Sequence, residues 1–377
     1  MIKQGEVVTN ERGIVMQKEM ISMRQAICMI TLFLFGNSAL MGMGSGMGQD
    51  AWIAIVIGAV LGSLISLVYA RVIRLFPERN LYDIAQAIFG KIIGKLIIVL
   101  MTWYAIHLAA LVLRNYSEFI QIVALEETPQ LAMMIVMLLI TGYMAFSGIE
   151  VLSKWVVIAI VLVFMVVLFT VVLSIKQVTL TNILPVMTHD FAAVGSASLK
   201  LFAFPFAETV IFLALADSIK KSDNPYKIYL YGIFIGAMIL IVTFLRNLMI
   251  LGVPTLEKAY FPSYTAARII NIGELFSRIE ITIFYNLILG GIAKISICLF
   301  AAIKGTEILF NIKSNKKIVF FISFIILLVS RYQYNSVMEM IKFIDIYQVY
   351  AVPFQIVIPV LVWIGAEIKT RKKRKTT

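Results

Sequence analysis

Two ionisable side chains, Glu208 and Lys294, lie inside long apolar segments of this sequence. Glu208 follows Pro205 by three residues, and a proline interrupts a helix because it lacks an amide donor and clashes with the preceding turn. A carboxylate at the start of the helix beyond such a break is stabilised by the positive end of the helix dipole. We therefore predict that Glu208 caps this helix, contacts an amine of a ligand or carries a proton.

Lys294 lies near the centre of a second apolar segment, within Gly290-Gly291-Ile292-Ala293-Lys294-Ile295-Ser296. A charged side chain at membrane depth costs roughly 2.5–3.5 kcal/mol on insertion scales, so it needs a partner. Two interpretations stay open. The lysine either pairs with a carboxylate such as Glu208 or snorkels along the helix, or it is a functional cation of a binding site.

Aromatic side chains accompany these two charges. Tyr104 and His107 are three residues apart in one apolar segment, so they face the same side of a helix and could line a pocket. Phe204 and Phe206 flank Pro205 and could form an apolar wall around a ligand. The structural alternatives are a packed, hydrogen-bonded aromatic pair for the first two residues and helix packing for the others.

The composition places these residues in a membrane. Of the 377 residues, 61% are hydrophobic and 14% are charged, and the mean hydropathy is +0.94. Soluble domains are typically about 45–50% apolar and about 25% charged. Because a spanning helix needs roughly 20 apolar residues, the runs predict ten spans, at 24–44, 52–72, 92–113, 129–147, 151–174, 198–217, 228–252, 281–303, 317–334 and 347–366.

Clusters of basic residues fall on one side of the predicted spans, which predicts their orientation. The connections after the second, sixth and eighth spans and both termini are rich in lysine and arginine, whereas the first connection contains Asp50 and no basic residue. We therefore expect both termini to be cytoplasmic. The net charge of +12 is attributed to this topology and to contact with anionic membrane lipid, not to nucleic acid.

Ten spans divide into two halves of five. Matching interruptions in two halves are typical of transporters built as inverted repeats, where broken helices line the solute site. The first span carries Gly36-Asn37-Ser38 near its middle, and the sixth carries Phe204-Pro205-Phe206. We predict an all-α integral membrane protein in a 5+5 inverted repeat with broken first and sixth helices. The predicted units are 1–23 (cytoplasmic), 24–174 (first repeat), 175–197 (connection), 198–366 (second repeat) and 367–377 (basic tail).

Further charged groups are assigned to the ends of the spans. Arg114 and Glu118 are four residues apart and are predicted to form an interfacial ion pair of little energetic weight, and Arg246 receives a similar interpretation. The connection 253–280 is expected to be a long external loop that caps the site or meets a partner subunit.

The sequence contains no motif that indicates an enzyme. Its cysteines, Cys28 and Cys298, both lie in apolar runs, and its histidines are His107 and His189. These residues suggest neither a disulfide nor a metal site, and the sequence has no nucleophile–base pair or phosphate-binding loop. We expect no catalytic residues, no metal and no cofactor.

Four segments carry a resemblance to a known family. They are Ile21-Ser22-Met23-Arg24-Gln25, Gly48-Gln49-Asp50-Ala51-Trp52, Phe204-Pro205-Phe206-Ala207-Glu208-Thr209 and Gly273-Glu274-Leu275-Phe276-Ser277-Arg278-Ile279-Glu280. In this order they resemble the spore germination permeases, the B subunits of germinant receptors. That family is part of the amino acid–polyamine–organocation superfamily, which has the LeuT-like fold. Ala207 departs from the resemblance, since relatives usually have glycine there, and this leaves the identity of the ligand open.

The resemblance implies a nutrient sensor in the inner membrane of the endospore. Such a subunit binds a small solute such as an amino acid and works with an A-type membrane subunit and a C-type lipoprotein subunit. Sodium-coupled proteins of this fold use the first and eighth helices for sodium, so a fixed ammonium at Lys294 implies sodium independence. A sodium-independent secondary amino-acid transporter is the alternative function, and a membrane scaffold is a third. The expected ligand-binding residues are Gly36, Asn37, Ser38, Tyr104, His107, Phe204, Pro205, Phe206, Ala207, Glu208 and Lys294.

Overall fold

The apolar segments fold into a helical bundle with one small hairpin. The computed structural model describes residues 7–9, 15–17, 19–44, 46–270, 279–312, 316–334 and 336–376. The hairpin pairs β1 (Val7–Thr9) with β2 (Val15–Gln17) in antiparallel register. The helices are α1 Met23–Met41, α2 Ala51–Leu75, α3 Leu81–Val123, α4 Gln130–Phe146, α5 Ile149–Leu173, α6 Phe191–Ala203, α7 Pro225–Lys258, α8 Pro262–Ile269, α9 Glu280–Phe310, α10 Lys316–Tyr332, α11 Val337–Val352 and α12 Ile358–Thr376.

The described residues also contain two short 3-10 helices, Gly48–Asp50 and Leu180–Ile183, a longer one of 13 residues, Phe206–Ser218, and a π-helical turn, Pro353–Val357. Among the described residues, eight helical segments are long and apolar enough to cross a membrane. All ten predicted spans fall on helices. The remaining two are α4 and α10, which have 17 residues each and reach about 25 Å.

The first helix is not broken where the sequence predicts. Ser22 begins α1 with a capping box, since its side chain accepts from the Gln25 amide and the Gln25 side chain accepts from the Ser22 amide. From there α1 runs without interruption through Gly36-Asn37-Ser38 to Met41 and ends at Gly42, which has a φ of +71°. The predicted break at 36–38 is therefore wrong.

The reason lies in packing. A Cβ on Gly36 would be 2.9 Å from the Gly290 carbonyl oxygen, so this glycine lets α1 and α9 touch backbone to backbone. The Asn37 side chain accepts from the Asn115 side chain of α3 at 3.1 Å instead of competing for the helix backbone. Gly36 and Asn37 therefore serve contacts between helices and leave the helical hydrogen bonds of α1 intact.

The break in the sixth span is confirmed. Helix α6 ends at Ala203, extended backbone follows at Phe204, and a 3-10 helix begins after Pro205 and continues to Ser218. The proline cannot donate a backbone hydrogen bond, which ends the α-helical pattern at this point. Glu208 consequently lies in the first turn of the segment that follows the break, as the sequence predicts.

One end of the bundle gathers the basic connections and is called the basic end. Here Arg71 at the end of α2 pairs with Glu367 of α12 at 2.6 Å. The N-terminal segment crosses the same end. The Ile21 amide donates to the Ser218 carbonyl at 2.8 Å, and the Glu19 carboxylate accepts from the Ile149 amide at 2.7 Å. The segment before α1 thus joins the end of the 3-10 helix Phe206–Ser218 to the start of α5.

The opposite end, called the distal end, is tied by Asp50. Its fully buried carboxylate accepts from the backbone amides of Met187, Thr188 and His189 at 2.6–3.1 Å. Asp50 is the residue before α2, but its side chain makes no capping bond to that helix. It instead anchors the connection between α5 and α6.

The region 253–280 is only partly a loop. Helix α7 continues to Lys258 beyond a kink at Gly252, and α8 occupies Pro262–Ile269. Residues 271–278, which contain most of the fourth family-like segment, lie outside the described residues.

Candidate functional site

The two ionisable residues found in apolar segments form an ion pair in the middle of the bundle. The Lys294 ammonium of α9 donates to the Glu208 carboxylate, and the two side chains are 0% and 1% exposed. Of the interpretations that the sequence left open for Lys294, pairing with Glu208 is the arrangement found in the structure. Burying two charges in this way is tolerated only when their remaining polar valences are also satisfied.

Aromatic rings complete the surroundings of the ammonium. The Lys294 nitrogen lies 4.6 Å from the ring centroid of Phe33 in α1 and 5.2 Å from that of Phe204 at the helix break. Both distances suit a cation–π interaction, which strengthens when water is excluded. The ammonium is therefore held by one carboxylate and two ring faces, and it connects α1, α9 and the break.

A chain of hydrogen bonds leads to the other oxygen of Glu208. The Gln355 side-chain amide donates to the Tyr104 hydroxyl at 2.9 Å and to the Ala203 carbonyl at 2.8 Å. The Tyr104 and Tyr347 hydroxyls are 3.0 Å apart, and Tyr347 donates to Glu208 at 2.7 Å. Since Tyr347 gives its proton to the carboxylate, Tyr104 must donate to Tyr347. All donors in the chain consequently point towards the negative charge.

Backbone groups freed by the break are also satisfied within the protein. Besides the bond from Gln355 to Ala203, the Tyr69 hydroxyl of α2 lies 3.4 Å from the Ala207 carbonyl oxygen and donates to the Gln355 carbonyl at 2.5 Å. Gln355 belongs to the π-helical turn Pro353–Val357, a type of turn often found at functional sites. The break is thus held in place by α2, α3 and the last helical segment.

A cavity of about 40 Å³ adjoins this network and is called the central cavity. Glu208 and the amides Asn37 and Asn115 give it polar groups. Its other walls are apolar or aromatic, formed by Met41, Leu108, Leu111, Phe204, Tyr334, Met340, Phe343 and Tyr347. A water molecule needs roughly 10–15 Å³ of such space, so the cavity has room for about three or four. A larger solute requires the walls to move apart.

Three of the eleven predicted ligand-binding residues line the central cavity: Asn37, Phe204 and Glu208. Lys294 and Tyr104 belong to the network behind it. The others shape the surrounding backbone or lie elsewhere: Gly36, Ser38, His107, Pro205, Phe206 and Ala207.

Two residues of that last group, Ser38 and His107, lie away from the central cavity. Ser38 faces a different cavity at the distal end. His107 packs among aromatic rings, with centroid distances of 5.7 Å to Trp103 and 5.0 Å to Tyr350. Although Tyr104 and His107 are close in sequence, only the tyrosine joins the Glu208 network.

Sequence reasoning missed Tyr347, Gln355 and Asn115. Tyr347 and Gln355 lie in the last apolar segment, where a polar amide two residues after Pro353 is the signal that could have indicated a site. Asn115 follows Arg114 directly, in a stretch that the sequence analysis interpreted only as an ion pair of Arg114 with Glu118. That pair exists at 2.7 Å, but its side chains are only 6% and 10% exposed.

The chain is similar in sequence to spore germination proteins and similar in fold to membrane transporters. A family model described as "Spore germination protein" matches residues 20–338. The chain is 26% identical to spore germination protein KB of Bacillus subtilis (strain 168) over 96% of this chain and 98% of that protein. It is also 24% identical to spore germination protein YndE of the same organism, over 70% of this chain and 73% of the relative.

Two solved structures show the same fold at low sequence identity. One is Mhp1, a nucleobase-cation-symport-1 family transporter, in a closed conformation with bromovinylhydantoin bound. It has a TM-score of 0.68 at 13% identity and covers 95% of this chain and 80% of its own. The other is MhsT in complex with L-phenylalanine, with a TM-score of 0.62 at 12% identity over 93% and 89%. The chain is an integral membrane protein with a LeuT-like transporter fold.

Proposed function

The chain belongs to the spore germination protein family, and on that premise we propose that it is the nutrient-sensing subunit of a spore germination receptor. The observation that carries the proposal is the central cavity beside the broken sixth helix, with the buried Glu208–Lys294 pair in its wall. A small solute binds there and changes the balance between conformations of the protein.

The walls of the central cavity support an electrically neutral ligand. Lys294 already balances the charge of Glu208, and no other described residue in the cavity wall carries a formal charge. A zwitterionic amino acid satisfies this condition, and the L-phenylalanine held by MhsT supports that class of solute. Asn37 and Asn115 offer amide groups to its polar end, and Leu108, Leu111 and Phe343 contact its side chain.

Signalling follows from the internal bonds that the ligand has to rearrange. Glu208, Tyr347, Tyr104 and Gln355 satisfy one another without a ligand. A solute shifts a conformational equilibrium only if it binds one state better than the other. Widening the central cavity separates α11 from the break and exchanges these bonds for contacts with the solute. This exchange is the difference between the two states.

We further propose that the chain resides in the inner membrane of the endospore, with both termini in the cytoplasm. Its partners there are an A-type membrane subunit and a C-type lipoprotein subunit. The basic end then faces the cytoplasm, which accords with the tendency of lysine and arginine to remain on that side. The surface of the bundle contacts membrane lipid. We expect no catalysis and no bound cofactor.

Lys294 favours a second candidate, a sodium-independent secondary amino-acid transporter. Its ammonium lies between α1 and α9, the first and eighth spans, next to Phe33. A permanent charge at this point replaces a transported cation. Saturable uptake by the purified chain in liposomes, equal in sodium and choline buffers, would favour transport over sensing.

The experiment that tests the sensing proposal fills the central cavity. Leu111→Phe enlarges a wall residue that is 8% exposed, whereas Leu139→Phe makes the same exchange on the outer surface, at 62% exposure. Binding of a panel of amino acids and sugars to the purified protein is measured together with nutrient-triggered germination of spores that carry each variant.

We expect Leu111→Phe to weaken binding of the active solute by at least about tenfold and to reduce germination in parallel, with Leu139→Phe unchanged. A loss of about 1.4 kcal/mol in binding free energy corresponds to that factor. Normal binding and germination in Leu111→Phe would refute a ligand site in the central cavity. If the wild-type protein binds a solute but its spores respond to no nutrient, the sensing role is refuted and the ligand site is not.

A further inference from the structure

A second cavity, of about 60 Å³, lies at the distal end and is called the distal cavity. It is enclosed by the end of α1, by α7 and by α8, with Ser38, Met41, Asn247, Glu257 and Ser263 among its walls. At roughly 10–15 Å³ for a water molecule, it has room for about four to six. That space suits a solute of five or six non-hydrogen atoms.

One polar group in these walls is left without a partner. Ser38 is 1% exposed, and its hydroxyl has no hydrogen-bond partner in the described part of the chain. Its neighbours are engaged, because Asn247 donates to the Ser263 hydroxyl at 3.1 Å and Ser263 donates to the Ala39 carbonyl at 3.1 Å. Since buried hydroxyls are normally hydrogen-bonded, the Ser38 hydroxyl is available to a water molecule or to a polar solute in the distal cavity.

A buried positive charge stands directly behind Asn247. The Arg246 guanidinium is 2% exposed and donates to the Asn247 side-chain oxygen at 2.6 and 3.2 Å and to the Thr170 hydroxyl at 2.7 Å. No carboxylate of the described residues lies within 4 Å of it. Within the described part of the chain, the groups that contact this charge are neutral dipoles, so its field extends past Asn247 into the distal cavity.

The same cavity also has a negative group in its wall. Glu257 reaches it from the part of α7 beyond the kink at Gly252 and is exposed at the surface. A site with a buried cation behind one wall and a carboxylate in another matches a solute that carries both charges. A simple anion meets repulsion from Glu257, and a simple cation meets repulsion from Arg246.

We propose that the distal cavity is a second binding subsite, which takes a small zwitterion of the size of glycine or alanine. The solute's carboxylate accepts from Ser38 and faces the wall backed by Arg246, and its ammonium faces Glu257. Met41, the last residue of α1, lines both the distal and the central cavity and separates them. The two subsites are independent, so one can exist without the other.

The test is equilibrium binding of radiolabelled L-alanine to the purified full chain in lipid nanodiscs. It is repeated in the Leu111→Phe background, in which binding in the central cavity is expected to be at least about tenfold weaker, so that the remaining high-affinity binding reports the distal cavity. Ser38→Ala removes a hydroxyl that makes no bond within the described protein, and Glu257→Gln removes an exposed charge. Ser323→Ala is the matched control, because the Ser323 hydroxyl also lacks a described partner but lies between α4 and α10.

We expect both cavity variants to weaken L-alanine binding by about tenfold or more and Ser323→Ala to leave it unchanged. Propionate, which lacks the ammonium, and ethylammonium, which lacks the carboxylate, should each compete at least about tenfold less well than L-alanine. Absence of L-alanine binding would overturn the proposal, as would unchanged binding in either cavity variant. Equal competition by propionate would show an anion site in place of a zwitterion site.

Discussion

Removing one partner of the Glu208–Lys294 pair leaves a single charge inside the bundle. Because the two side chains are 0% and 1% exposed, bulk solvent does not reach the position of the lost partner. Breaking a fully buried ion pair typically costs about 3–5 kcal/mol, whereas replacing both members by neutral groups is often close to neutral. We expect Lys294→Met to lower the free energy of unfolding by about 3–5 kcal/mol, and the double variant with Glu208→Gln to remain within about 1 kcal/mol of the wild type.

The surroundings predict that the two single variants differ. In Glu208→Gln the ammonium keeps the faces of Phe33 and Phe204, and a cation–π contact away from water is worth about 2 kcal/mol. In Lys294→Met the carboxylate keeps, among its described partners, the bond from Tyr347 alone. We therefore expect Glu208→Gln to be less harmful than Lys294→Met by about 1–2 kcal/mol.

The assay is a double-mutant cycle on the purified chain, unfolded by titration with sodium dodecyl sulfate in mixed micelles. The matched control is Asp217–Lys304, which joins the same two elements, the 3-10 helix after the break and α9. Its side chains are 20% and 17% exposed, so water partly replaces a lost partner. Single neutralisations there should therefore cost less than those of the fully buried Glu208–Lys294 pair.

Two results would refute this reasoning. If Lys294→Met unfolds at the same denaturant concentration as the wild type, Glu208 does not depend on the ammonium for its burial. If the losses from the two single variants simply add in the double variant, the side chains do not interact.

Three further changes test other contacts of the core. Tyr347→Phe removes the hydroxyl that links Tyr104 to Glu208 and should cost about 1.5–3 kcal/mol of unfolding free energy in the same titration, since the acceptor is charged; full stability would contradict the hydrogen-bond chain. Gly36→Ala places a Cβ 2.9 Å from a backbone oxygen of α9 and should cost about 1–3 kcal/mol, whereas Gly195→Ala in α6 meets no atom within 4 Å and should stabilise by up to about 1 kcal/mol. The opposite ranking would exclude the close contact. Asp50→Ala removes the acceptor of three backbone amides and should increase proteolysis of the 184–190 connection, with an unchanged cleavage pattern as the contrary result.

The sequence predicted the features that depend on local chemistry. Apolar length placed all ten spans on helices, and the missing amide of Pro205 placed the break in the sixth span. The cost of a charge in an apolar segment also indicated that Lys294 needs a partner, and Glu208 was named as one.

Features that depend on contacts between distant segments were not predictable in the same way. Gly36-Asn37-Ser38 has the composition of an unwound segment, but the helix persists because α9 fills the space that the glycine leaves. Arg246 was assigned to the surface, although it is 2% exposed, since its neutral partner Thr170 comes from a helix 76 residues earlier. Tyr347 and Glu208 are separated by 139 residues, and no spacing rule brings them together.

The close contact of Gly36 with Gly290 also has a mechanical consequence, because two helices that touch without intervening side chains can rotate about the point of contact. Met41 lies five residues beyond Gly36, and Ser22 lies fourteen residues before it. At about 1.5 Å per residue, the two arms of this lever are roughly 7.5 and 21 Å long. If α1 turned as a rigid body about this contact, a displacement of about 1 Å at Met41, between the two cavities, would become about 3 Å in the opposite direction at Ser22. The residues next to Ser22 bind the end of the sixth span and the start of α5, so such a rotation would couple the distal end of the bundle to its basic end.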